Sequence, residues 1–252
     1  MFELPRVGDV HSLETFLVAL LLCAVFLAAE SLHALQAHFP RRWLSLAAGV
    51  AVAYVFVDIL PELGARHRGF VAAAGQGILF AEQRIYLAAL LGFLVFYGLE
   101  HLVFAPRDSD PPSNGAEATR AAVRLHIGGY ALYSWLIGYL LMDRALQGRV
   151  SLGVYAAAMA LHFAVVGNAL VRKHGRTYHR WGRWLLPASI LVGWLTGAVA
   201  PMAETVISRL FAFVAGGVVM TTMNEELPRE REGRFWWFVL GSSGYTLVLL
   251  MV

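Results

Sequence analysis

Two histidines, His126 and His162, stand inside long apolar stretches of this chain. An ionisable group is costly in such a place and therefore informative. Their imidazoles offer nitrogen donors to a first-row divalent cation. Tyr130, four residues after His126 and so on the same helical face, offers an oxygen. Carboxylates gather where apolar runs end: Asp58 and Glu62 are four apart, Glu30 and His33 three apart, and Glu225 adjoins Glu226. The chemistry open to such residues is capture of a cation at one end, holding in the middle and release at the other. Each also has a plainer reading. A lone histidine in an apolar helix serves as hydrogen-bonded glue between helices. Acids at helix ends reach out to the headgroups, and Glu100 with His101 reads as an anchor of that kind.

The elements that would position these residues are membrane helices. Of 252 residues, 58% are hydrophobic and only 15% charged, with a mean hydropathy of +0.61. A soluble chain would carry about 25% charge. Eight apolar runs of spanning length are separated by charged clusters, at about 13–35, 42–61, 84–105, 122–142, 151–171, 184–203, 207–227 and 234–252. Backbone in lipid must satisfy its own hydrogen bonds, so the runs are helices. The expected fold is an all-α polytopic membrane protein, one transmembrane domain over residues 1–252, with a loop at 106–120. The first run is too long for a removable signal peptide. Cys23 is the only cysteine, which excludes a disulfide within the chain. No enzymatic activity, no tightly bound cofactor and no nucleic-acid partner is expected; the partner is the lipid bilayer.

Of the 20 Lys and Arg residues, 13 fall in the loops after runs 1, 3, 5 and 7. Basic loops stay cytoplasmic, which puts both termini outside and the loop between runs 3 and 4 inside, in a bacterial inner membrane. A phrase then recurs. Ala48-Gly49-Val50 leads through apolar residues to Asp58-Ile59-Leu60-Pro61, and Ala215-Gly216-Gly217 leads to Glu225-Glu226-Leu227-Pro228, 167 positions later. Leu91-Gly92 in the third run is echoed by Leu240-Gly241 in the eighth. Runs 2 and 7 cross in opposite directions, so runs 1–3 and 6–8 are predicted to form inverted repeats around runs 4 and 5, as in many transporters.

With Leu60-Pro61-Glu62 closing the second run and Gly92 through Glu100-His101 in the third, this order of motifs resembles the ZIP (Zrt/Irt-like) metal transporters over nearly the whole chain. The resemblance implies transport of zinc- or iron-class divalent cations, a homodimer, and a binding site on the fourth and fifth helices at the positions of His126 and His162. There the chain departs from the family. His126 is followed four residues on by Tyr130 instead of an acid, His162 by Val166, and Ala200 stands before Pro201 where a Glu is usual. The expected site is histidine-based and carboxylate-poor: Asp58 and Glu62 attract the cation outside, His126, His162 and Tyr130 hold it, and Glu30, His33 and Glu225 receive it inside. Two other readings stay open. One is a protein of this fold that has lost metal transport and serves as a partner subunit, a sensor or a carrier of a different solute; the other is a redox protein with haem between the two histidines.

Overall fold

Pro61 brings no N–H to its helix, and its ring crowds the carbonyl four residues back. The turn before it widens in response. Val55–Ile59 is a π turn, closed by a bond from the Leu60 N–H to the Val55 carbonyl. A second π turn occupies Thr222–Glu226, immediately before Leu227-Pro228 and 167 positions from the first. Both belong to a computed structural model that describes residues 10–28, 31, 41–74, 83–104, 115–200, 202–226 and 234–251.

All regular structure among the described residues is helical. Eight helices follow one another: α1 (Val10–Leu27), α2 (Arg41–Tyr54, then through the π turn into Leu60–Ala74), α3 (Arg84–Phe104), α4 (Gly115–Leu146), α5 (Arg149–Thr177), α6 (Arg183–Val199), α7 (Glu204–Thr221, then its π turn) and α8 (Phe235–Leu250). The α5–α6 connection is itself helical, through Tyr178–Gly182 after a kink at Gly175, where φ is +31°. Five segments are long and apolar enough to cross a membrane: Ser45–Arg68, Arg84–His101, Val123–Leu146, Arg149–Gly175 and Glu204–Asn224. Ser12–Leu27 and Phe235–Leu250 are shorter apolar helices, which suits an integral membrane protein.

Helix α4 starts at Gly115, so the last residues of the expected 106–120 loop are helical. The segment Ala116, Glu117, Ala118, Arg120 and Ala121 is rich in strong helix formers, and propensity extends the helix beyond its apolar part. Cys23 is buried in the core, its thiol 3.3 Å from the Pro187 carbonyl.

Helix α2 packs along α8, α3 along α7, α4 along α6, and α1 against α6 and α5. Glycines set the first two crossings. A Cβ on Gly49 would collide with the Phe238 carbonyl and lie 2.8 Å from Ser242 N. One on Gly216 would collide with the Ala89 carbonyl and lie 2.8 Å from Phe93 N. Likewise Gly241 abuts the backbone of Leu46, and Gly92 that of Phe213. The register is identical in the two crossings: 167 positions relate Gly49 to Gly216 and Leu46 to Phe213, and 149 relate Phe93 to Ser242 and Gly92 to Gly241. At the α4–α6 crossing Gly138 abuts Ile190, and Gly193 abuts Trp135.

Candidate functional site

Along α4, His126, Tyr130, Tyr133, Ile137 and Arg144 recur at intervals of three, four and seven and so share a face. Helix α5 runs back beside it, and the polar side chains meet at three levels.

At the first level His126 is buried between two partners. Its Nδ1 lies 2.6 Å from His174 Nε2, and its Nε2 lies 3.1 Å from Glu100 Oε2. Lys173 Nζ donates to the other Glu100 oxygen, and Asn224 Nδ2 reaches it at 3.3 Å. The Tyr130 ring stands edge-on to His126, with centroids 5.2 Å apart. An open groove of about 450 Å³ between α3 and α7 leads to this cluster, lined by Phe93, Tyr97, Glu100, His101, Met220, Met223 and Asn224.

At the second level, seven residues or about 10 Å further along α4, the Tyr133 hydroxyl and His162 Nε2 are 3.0 Å apart. His162 also lines a cavity of only about 10 Å³, closed in by Val50, Ala51 and Tyr54 of α2, Ala158 and Leu161 of α5, and Val218 and Thr222 of α7. Ala51 and Val218 stand 167 positions apart, the offset of the recurring phrase. The cavity therefore lies where the two glycine-lined, π-turned helices face each other across α5. It has room for about one water molecule.

At the third level, about 27 Å from His126 along α4, three acids and two arginines meet. Arg66 donates to Glu62 at 2.8 Å and to Asp143, while Arg144 lies 3.7 Å from Asp58 and 3.2 Å from Gln147 Oε1. Both guanidinium groups stack on Phe211 of α7, at 4.7 and 5.2 Å from its centroid.

The sequence-predicted residues are thus divided among separate stations. His126 and His162 do not converge on one point: each holds its own partners, with Tyr130 and Tyr133 between them. Two nitrogens on one tetrahedral zinc sit about 3.3 Å apart, so the 2.6 Å His126–His174 contact is a direct hydrogen bond between rings. Among the described residues no group of three or more His, Cys, Asp or Glu is arranged to hold a metal ion. Asp58 and Glu62 occupy the third level, each facing an arginine. Glu30 and His33 lie outside the described residues; Glu225 is in the π turn of α7, its side chain likewise undescribed. Glu100 corrects the reading of a headgroup anchor. Its carboxylate turns inward to His126 and Lys173 and puts an acid at the histidine, supplied by α3 in place of α4. Ser134 and Asn168 add further buried polar groups on α4 and α5. No family model matches the chain, and no curated protein matches its sequence.

The first level yields a stability prediction. The Glu100 side chain is 15% exposed, and removing its charge takes away the carboxylate that faces Lys173 and His126. Glu100→Gln is expected to destabilise the protein by about 2 kcal/mol, and Glu100→Gln/Lys173→Met to recover most of it. Thermal unfolding in detergent reads both.

Proposed function

We propose that the chain is a ZIP-like membrane transporter that works by alternating access, with its cargo site at the repeat interface beside His162. The observation that carries this reading is the repetition of one crossing: the same glycine register and the same π turn in α2–α8 and in α7–α3, 167 and 149 positions apart. Inverted-repeat transporters place the site midway, between interrupted helices of the two repeats. A π turn before a proline is such an interruption, because Pro61 withholds one backbone donor and exposes carbonyl oxygen. With the basic loops inside, the Asp58 level faces out and the Glu100 level faces the cytoplasm.

The proposed cargo is a divalent cation of the zinc or iron class. His162 supplies nitrogen, while Tyr54, Tyr133, Thr222 and the π-turn carbonyls supply neutral oxygen. On the inner side the open groove beside Glu100 gives the cation its way out. One observation favours a second reading, a carrier of a less charged solute or a partner subunit on the same fold. Among the described residues no carboxylate lines the central cavity, and bare divalent charge is costly to bury uncompensated.

Alternating access is testable without knowing the cargo. Ala158 is buried and lines the cavity. With Cys23→Ser as background, a cysteine from Ala158→Cys should react with a membrane-impermeant thiol reagent applied from either face of reconstituted vesicles. Reaction from neither face, or from one face alone, would contradict the mechanism.

A further inference from the structure

The charged cluster on α2, α4 and α7 has no part in holding the cargo, and its placement gives it another role. It stands one helical turn from the central cavity. Tyr54 lines that cavity, and Asp58, four residues on, lies 3.7 Å from Arg144. On α5, Tyr155 lies under the Arg144 guanidinium, 5.4 Å from its ring centre, and one turn before the cavity residue Ala158.

The arginines are the deeper members. The Arg66 and Arg144 side chains are 9% and 4% exposed, against 22–23% for Glu62, Asp143 and Asp58. The carboxylates are thus the more exposed members, and the buried guanidinium groups stack on Phe211. Within Arg144, Nε and one terminal nitrogen are buried without a hydrogen-bond partner. A guanidinium left partly unsatisfied at such depth is held by its position between other groups, not by a completed network. Three of the ties run between α4 and a flanking helix. Arg66–Asp143 and Asp58–Arg144 join α2 to α4, and the Arg144–Phe211 stack joins α4 to α7. In a repeat transporter α2 and α7 belong to the two repeats, whereas α4 and α5 are the central pair.

We infer that Arg66 and Arg144 form an ion-pair gate over the central cavity: they occupy the carboxylates of Asp58, Glu62 and Asp143 as tethered cations and close the path from that end. An arriving cation competes with them for the same oxygens, and the gate opens when the arginines let go. This rests on the transporter reading above and adds to it the means by which one end is kept shut.

The test uses the Ala158→Cys probe in Cys23→Ser protein, reconstituted in vesicles, with reagent on one face at a time. Arg66→Gln and Arg144→Gln should each speed reaction from the Asp58 end by about tenfold, the change expected when one partly buried ion pair no longer biases a two-state balance. Reaction from the Glu100 end should keep its rate. Exchanging the charges, Arg66→Asp with Asp143→Arg, should slow the Asp58-end reaction again. An unchanged rate at that end in both single variants would overturn the gate. Equal acceleration at both ends would overturn it too, since that marks general loosening of the bundle. A cysteine silent from both faces in every variant would remove the transporter reading, and the gate with it.

Discussion

Leucine at Gly49 or at Gly216 leaves no folded protein. Both glycines sit where two helices approach so closely that even a Cβ would fall inside the neighbouring backbone: the Phe238 carbonyl for one, the Ala89 carbonyl for the other. Backbone cannot swing aside as a side chain can. The helices must separate along their whole contact, losing the dispersion and close packing that hold membrane helices together. Overpacking a well-fitted core costs about 1–3 kcal/mol where side chains can adjust, and here they cannot. The expected result is loss of the monodisperse detergent-solubilised species, equally for the two variants. Gly128 and Gly244 have nothing within 4 Å of a built Cβ, and alanine there should be tolerated. Size-exclusion chromatography separates the outcomes. Unequal effects at Gly49 and Gly216 would weaken the claim that the two crossings are one motif used twice.

The second large effect falls on transport. His162→Ala is expected to reduce saturable cation uptake to the background leak, because no other imidazole lines the central cavity. The loss should exceed that of His126→Ala, whose target already hydrogen-bonds His174 and Glu100 and lies about 10 Å away along α4. Tyr133→Phe removes only the hydroxyl facing His162 and should lower uptake by about tenfold or less, as one hydrogen bond of about 1 kcal/mol allows. Uptake assays on folded variants decide the order. Equal losses at His126 and His162 would mean that the histidines act as one site.

Much of the architecture was legible in the residues. Apolar runs fixed the helical class, because lipid leaves the backbone no other economy, and the Ala-Gly to Leu-Pro phrase located the two π-turned helices. Its glycines prove to be contact points with a common register, a role their type suggested and their spacing specified. The site was less legible, for a geometric reason. Helices 4 and 5 run antiparallel, so His126, early in α4, meets the end of α5 at His174. His162 lies 12 residues short of that point, about 18 Å away along α5. The pairing of His126 with His162 came from the family resemblance, which carries no register for this chain. Glu100 reads in the sequence as a headgroup anchor because it stands beside His101 at the end of the third apolar run. The residues that turn it inward, Lys173 and His126, are 73 and 26 positions distant.

The measurement that bears most directly on the central claim is uptake of Zn²⁺, Fe²⁺ and Mn²⁺ into proteoliposomes holding the purified protein, beside empty liposomes of the same lipid. The account predicts saturable uptake of at least one of these ions, well above the leak. Rates no greater than those of empty liposomes for all three would contradict a divalent-cation transporter.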